Sequence, residues 1–300
     1  MSLNISAWLN AFRLRTLPLA FSAIIVGSFL NFEEKFDAII FSLALTTTLL
    51  LQILSNLAND YGDSKKGTDN EDRIGPKRAI QSGALSFSQV KMAMIITAFL
   101  SLFSGLSLLV YALEISLTLL LFFILGLSAI AAAIFYTVGK KAYGYYGFGD
   151  LLVFLFFGII GVMGSAYLQF QTLNFNHLYM AFSIGFFSVT VLNLNNMRDR
   201  ESDIKANKMT LAAKLGKKGA MIYHLLLILG GVISAAFYIF QTAYTWSQYL
   251  PCLVFPIFIL IMYKTEQIEN LKDFDPFLKY MALSTFIFSI LFMVSNIIVN

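Results

Sequence analysis

A single cysteine, two histidines and only 13% charged residues in a chain of 300 exclude several classes of protein at once. Cys252 alone can build neither a disulfide framework nor a thiolate metal site. His177 and His224 have no histidine or carboxylate close by in the sequence and read as packed or interfacial side chains. Soluble domains carry about a quarter charged and roughly half apolar residues, whereas this chain is 58% hydrophobic with a mean hydropathy of +0.74. It has no linker, no low-complexity tract and no polar stretch long enough for a soluble domain. A transmembrane β-barrel is excluded too, because the apolar runs are continuous rather than alternating. The segment MSLNISAWLNAFRLRT has no cleavage-site pattern and is expected to form a short amphipathic helix at the membrane interface. The class that remains is an all-α polytopic membrane protein.

What is present is hydrocarbon in blocks. Apolar stretches fall at about 16–31, 37–58, 89–112, 116–137, 149–170, 177–196, 219–240, 247–263 and 277–298, the first and eighth being short. A spanning helix takes about 20 residues, which predicts about nine transmembrane helices. With the amino terminus in the cytoplasm and the helices alternating, all 21 Lys and Arg residues except Lys35 fall on the inner side. The positive-inside rule demands such a split of a correct span count, and one helix more or less would scatter the cations over both faces. The net charge of +4 therefore belongs to inner loops that meet anionic lipid head groups, and needs no nucleic acid.

External turns are short, while two inner connections, 59–88 and 197–218, are long and dense in Asp, Asn, Lys and Arg. The first opens in NLANDYGDSKKGTDNEDRIGPKR, directly after one of the most apolar segments of the chain. If the helix continues past the membrane boundary, Asn56, Asn59, Asp60 and Asp63 share one face by i, i+3 and i+4 spacing. The sixth span ends in the same manner, NLNNMRDRESD, with Asn195, Asp199 and Asp203 one turn apart. Two mirrored acidic helix ends are thus placed to face each other.

Converging carboxylates raise one another's pKa unless a cation lies between them. Ligands that are oxygen only select hard cations, and a few carboxylates completed by water and phosphate suit Mg²⁺. Lys65, Lys66, Arg73, Lys77, Arg78, Arg198 and Lys208 add positive charge for the same anion, the arginines through a planar fork. A diphosphate head on a long apolar tail fits a site of this kind at lipid level. Its allylic carbon becomes cation-like as the C–O bond breaks, and aromatic faces stabilise that charge. Tyr136, Tyr143, Tyr145 and Tyr146 gather near the inner end of the fourth span. Interfacial tyrosine belts are ordinary in membrane proteins, so any one of these reads first as structural. Glu71, Glu201, Lys214, Lys217 and Lys218 read as solvated surface. Asp60, Asp63, Asp199 and Asp203 differ, because ionisable residues at span ends, in register and mirrored, read as functional.

Together NLANDYGDSKKGTDNEDRIGPKR, YGYYGFGDLLVFLFFG and NNMRDRESDIKANKMTLAAKLG resemble the UbiA-type membrane prenyltransferase superfamily, most closely its branch acting on 1,4-dihydroxy-2-naphthoate in menaquinone biosynthesis. The resemblance runs from RLRTLP to the seventh span. It implies a single domain over residues 1–300, helices bundled around a central cavity, Mg²⁺, a polyprenyl diphosphate donor and an aromatic acceptor. It further implies transfer with release of diphosphate and CO2 to give demethylmenaquinone, in a cytoplasmic membrane. Asn59, Asp60 and Asp63 match the first signature, Asp199 and Asp203 the second. The usual third aspartate falls at Gly67, and Asp69 stands in for it. The resemblance thus implies Asp60, Asp63 and Asp69 around one metal and Asp199 and Asp203 around another. Asn56, Asn59 and Asn195 would support them, Arg78 with Lys77, Arg73, Arg198 or Lys208, and Arg15, would hold the diphosphate, and Tyr136 is a further candidate for substrate binding. The chain departs from the branch at Val138, Lys140, Ala142 and Asn207, which bears on the acceptor's contacts and not on the metal. Two other readings stay open: a sister enzyme acting on 4-hydroxybenzoate, homogentisate or haem, and a cation-coupled transporter. The latter would place its charges near mid-membrane, and here they lie at one face.

Overall fold

Four of the long helices start on capping side chains. Asp37 Oδ1 accepts from the backbone N–H groups of Ile39 and Ile40 at 2.8 and 3.1 Å, opening a helix over Ala38–Lys66. Ser86 and Gln89 close a reciprocal capping box at Phe87–Ala112. Ser116 and Thr210 accept from Leu119 and Ala213 at two later starts. Each cap satisfies an N–H that the helix leaves unpaired, and lipid offers no water to do so instead.

A computed structural model describes residues 4–13, 16–32, 36–71 and 73–299. The helices in chain order are α1 (Ile5–Phe12), α2 (Leu17–Ser28), α3 (Ala38–Lys66), α4 (Phe87–Ala112) and α5 (Leu117–Phe135). They continue as α6 (Gly149–Phe170), α7 (His177–Lys205), α8 (Leu211–Thr242), α9 (Trp246–Glu266) and α10 (Leu271–Val299). No strand occurs among the described residues. The eight helices α3 to α10 are each long and apolar enough to cross a membrane. With 12 residues α2 is not, since about 1.5 Å per residue falls short of a hydrocarbon core of about 30 Å. It makes a ninth span only together with α1, from which it bends by 49°. The expected interfacial helix and the expected first span are two arms of one bent unit.

The axis of the bundle is α7: 72% of its apolar window is buried, against none of that of α5. Phe187 of α7 stacks on Phe258 of α9 with ring centroids 4.1 Å apart, and Phe288 of α10 meets it edge-on. A second apolar cluster, around Leu54, Leu57 and Val90, joins α1, α3 and α4. A cavity of about 440 Å³ lies between these halves, walled by α2 to α7. Its α6 wall contains a ten-residue π-helical stretch, Phe154–Met163, a conformation that is rare and frequent at functional sites. Phe156, Phe157 and Ile160 of that stretch face the cavity.

The structure departs from the sequence reading at the membrane boundary. Helix α3 runs on to Lys66, where Gly67 stops it in the left-handed conformation at φ 74°, and α7 runs on to Lys205. The expected connections at 59–88 and 197–218 shrink to 67–86 and 206–210. Asp60, Asp63, Asp199 and Asp203 are therefore carried by helix ends, while Asp69 lies in the connection after α3.

Candidate active site

Two basic side chains tie the acidic helix ends together. Lys208 Nζ lies 3.1 Å from Asp63 Oδ2 at the end of α3 and 3.9 Å from Asp203 Oδ1 at the end of α7. Arg73 Nε lies 3.2 Å from Asp69 Oδ1, and its Nη2 3.6 Å from Asp199 Oδ2. Asp63, Asp69, Asp199, Asp203, Asn56, Asn59, Asn195, Arg73, Arg78, Lys208 and Tyr136 all line the one cavity. The mirrored signatures thus meet, as the sequence reading required. Burial alone would lower the pKa of Lys208, but Asp63 and Asp203 outweigh it and raise the value.

Against these acids stand arginines without counter-anions. Arg13 and Arg78 line the cavity, and neither forms an ion pair among the described residues. Burial, with Arg13 and Arg73 as like-charged neighbours, pushes the pKa of Arg78 well down. Arg78 lies within electrostatic reach of Asp60, Asp63, Asp69 and Asp199. Three converging guanidiniums beside a carboxylate cluster make a place for a polyanion. Arg13 was missed from sequence. Its signal was the pair of arginines in AFRLRT, of which Arg15 was selected and lies outside the described residues. Asn56 explains the position of this segment, since its Nδ2 donates to Phe12 O at 2.9 Å and pins the end of α1 to α3.

The tyrosines divide their work. Tyr145 donates from its hydroxyl to Asp63 Oδ1 at 2.8 Å and meets Thr68 Oγ1 at 2.6 Å. Burial and the Asp63 carboxylate raise its pKa, so it remains a donor. Tyr136 faces the cavity and packs edge-on against Tyr143, with centroids 5.3 Å apart. Its ring sits in a slot between two glycines. A Cβ on Gly144 would fall 2.7 Å from Tyr136 O and 2.9 Å from Cε2; one on Gly149 would fall 3.0 Å from Cε2. Two of the three glycines of YGYYGFGD, Gly144 and Gly149, are thus accounted for by the ring they admit, and Gly147 caps the turn at φ 83°.

Three expected positions are corrected. Lys77 is exposed and does not line the cavity, because its loop turns it outward. Arg198 also lies off the cavity, buried behind Asp199. Its Nε and Nη2 grip the two oxygens of Asp199 at 2.9 and 2.7 Å, Nη2 reaches Asn195 Oδ1 at 2.8 Å, and Nη1 pairs with Asp275. Arg198 therefore positions Asp199 and leaves the diphosphate to others. Asp60 turns from the cavity wall toward the following loop, where Oδ2 accepts from Ala79 N at 3.2 Å.

The carboxylates are not gathered around one point: among the described residues no three Asp, Glu, His or Cys side chains form a metal-holding group. Lys208 and Arg73 stand between them instead. The residues nonetheless fit a hard cation. Asn59 Oδ1, Asp60 Oδ1 and Asp69 Oδ2 are buried acceptors with no hydrogen-bond partner among the described residues. Such orphaned oxygens are costly in a protein interior, and an oxygen-only set answers to Mg²⁺ chemistry.

A multi-pass helical bundle with two acidic helix ends, three converging arginines of which two form no ion pair among the described residues, and an apolar cavity defines a membrane enzyme for anionic lipid-like substrates. Residues 20–292 match the UbiA prenyltransferase family, and the chain belongs to it. Among its relatives, a 1,4-dihydroxy-2-naphthoate octaprenyltransferase of Haemophilus influenzae is 40% identical over 295 residues, 96% of this chain and 95% of that one. The Escherichia coli protein of the same name is 46% identical over 254 residues, 84% and 82% of the two chains. A UbiA homologue from Archaeoglobus fulgidus, solved bound to GPP and Mg²⁺, shares the fold with a TM-score of 0.70 at 15% identity, over 98% of this chain and 99% of that one.

Proposed function

We propose that the protein transfers a polyprenyl group from polyprenyl diphosphate to 1,4-dihydroxy-2-naphthoate, giving demethylmenaquinol, the reduced form of demethylmenaquinone, with release of diphosphate and CO2. The observation that carries the donor half is the convergence of Arg13, Arg73 and Arg78 beside the acids at the mouth of an apolar cavity. The acceptor half rests on the relatives named for that activity, at 40% and 46% identity.

In the reaction the allylic C–O bond breaks and its electron pair leaves with the diphosphate. The ring carbon that bears the carboxyl group attacks the allylic carbon. Loss of CO2 then returns its C–C bond pair to the ring and restores aromaticity, so the chain need supply no strong general base. Arg78, Arg13 and Arg73 bind the diphosphate and take up the charge that grows on it. Asn59, Asp60, Asp63 and Asp69, with Asp199 and Asp203, would hold Mg²⁺, which would supply further neutralisation of the leaving group. Tyr136 presents a π-face to the cation-like carbon, and the aliphatic wall excludes water that would capture it. Tyr145 and Arg198 act through Asp63 and Asp199, which they hold in place. We place the protein in the cytoplasmic membrane with the amino terminus and the aspartate end inside, on the one-sided distribution of its cations.

The test is mass spectrometry of lipid products after incubating membranes with dihydroxynaphthoate, prenyl diphosphates of several lengths and Mg²⁺. Prenylated, decarboxylated naphthoquinol is the expected product. Product only from 4-hydroxybenzoate, homogentisate or haem would replace the acceptor. Cation uptake by proteoliposomes with no lipid product would replace the class.

A further inference from the structure

The end of α3 has two faces, and only one looks into the catalytic cavity. Asn59 and Asp63 line that cavity, while Gly62, Lys65 and Lys66 line a separate groove on the opposite side. The groove is open, about 890 Å³, and runs between α3, the first half of α4 and the second half of α5. Its walls are aliphatic and aromatic, among them Met94, Ile95, Phe99 and Ile134. Its rim holds four lysines from three separate segments: Lys65 and Lys66 at the end of α3, Lys91 at the start of α4, and Lys140 after α5.

All four lysines are exposed, and none forms an ion pair among the described residues. The Lys65 and Lys66 ammonium groups lie over the rings of Tyr61 and Tyr145, at 5.7 and 3.8 Å, which orients them without neutralising them. Among the described residues no carboxylate belongs to the rim. Along α4 the wall descends eleven residues, from Lys91 to Leu102. At about 1.5 Å per residue that depth is close to one leaflet of hydrocarbon, half of about 30 Å. Charge at the mouth and apolar wall to mid-bilayer depth describe one molecule.

We propose that this groove binds one anionic phospholipid of the leaflet on the aspartate side, its phosphate among the four lysines and an acyl chain along α4 and α5. The groove is distinct from the catalytic cavity but adjoins it, because Leu102, Leu127 and Ile130 line both. Close contact seals the two at the charged end: a Cβ on Gly62 would fall 2.6 Å from Thr137 Oγ1, and Thr137 donates to Ala58 O at 2.8 Å. Lys66 connects them chemically, since the Tyr145 ring beneath its ammonium carries the hydroxyl that holds Asp63. Diffuse basic surfaces attract anionic lipids without selecting a place; here the cations converge on a groove of matching depth.

The test is native mass spectrometry of the full-length protein released from nanodiscs of equal phosphatidylglycerol and phosphatidylcholine with matched chains. The wild type is expected to retain one phosphatidylglycerol in preference. The triple variant Lys65→Gln/Lys91→Gln/Lys140→Gln should lower that occupancy at least fivefold, and the corresponding Lys→Arg triple should keep it. Removing the same number of lysines elsewhere at this end, by Lys264→Gln/Lys272→Gln/Lys279→Gln, should leave it unchanged. Loss of the adduct in both Gln triples alike, equal retention of phosphatidylcholine, or displacement of the adduct by farnesyl diphosphate would each overturn the proposal. The last outcome would give the groove to the donor's tail. Because the Arg triple and the distant Gln triple report on folding separately, a collapsed variant cannot pass for a lost site.

Discussion

Lys208 Nζ reaches Asp63 Oδ2 at 3.1 Å and Asp203 Oδ1 at 3.9 Å, so one ammonium joins the ends of α3 and α7. Removing it by Lys208→Met leaves two carboxylates facing each other in a buried place. Breaking one side of a buried pair destabilises by roughly 3–5 kcal/mol, and the same loss of alignment should reduce kcat/KM by about 100-fold. Lys208→Arg keeps the charge and should stay within about tenfold of wild type. Because the folded pKa of Lys208 is raised, its stabilisation is complete below its ordinary value of 10.5 and is lost only as pH rises through the folded one. Wild-type turnover in membranes carrying Lys208→Met would remove this lysine from the site.

Arg198 and Asp275 form a lever behind Asp199. The guanidinium grips both Asp199 oxygens and is itself anchored by Asp275. An ammonium cannot reproduce a bidentate fork, so Arg198→Lys should lower kcat by at least about tenfold while the KM for prenyl diphosphate stays near wild type. Asp275→Asn should act in the same direction but more weakly, because Asn195 and Asp199 still hold the arginine. A large rise in KM with kcat unchanged would instead make Arg198 a substrate contact.

What the sequence made legible followed from strong periodic signals. The long apolar runs located α3 to α10, and i, i+3, i+4 spacing located the acids, because a helix end fixes which residues share a face. The departures share one cause: the sequence shows charge but not direction. Lys77 and Arg78 are neighbours, and only the turn of the loop puts Arg78 in the cavity and Lys77 in solvent. Arg198 looked like a free cation because Asp275, its partner, is 77 residues away. Arg13 was passed over because the end of α1 at Phe12 depends on Asn56, on another helix. The continuation of α3 to Lys66 was conditional from sequence alone, since polar residues at a membrane boundary suit a helix or a loop equally.

Metal dependence should follow the orphaned oxygens. Chelation with EDTA should abolish prenyl transfer and added Mg²⁺ should restore it. Asp69→Asn, which removes the carboxylate charge and leaves only a neutral amide, should raise the half-saturating Mg²⁺ concentration about tenfold, in line with the loss of one ionised ligand. Asn59→Ala should shift it in the same direction. Full activity in EDTA, or an unchanged Mg²⁺ titration in both variants, would transfer the metal role to other residues.

The slot around Tyr136 gives the sharpest packing prediction. A Cβ on Gly144 would stand 2.7 Å from the Tyr136 carbonyl oxygen, which is backbone and cannot swing aside. The Tyr136 carbonyl also accepts from Gly144 N at 3.0 Å, so the two segments cannot part without losing that bond. Gly144→Ala must therefore displace the turn at Tyr143–Tyr146, and with it Tyr145, whose hydroxyl holds Asp63. Overpacking of this kind typically destabilises by about 1–3 kcal/mol, and activity should fall further than stability because two groups of the site move together. Tyr136→Phe keeps the ring and should retain most activity, whereas Tyr136→Leu removes the π-face and should lower kcat by about tenfold or more. Comparison of kcat with melting temperature across Gly144→Ala, Tyr136→Phe and Tyr136→Leu separates the two effects. If Tyr136→Leu matches Tyr136→Phe in kcat, the ring serves only to fill its slot.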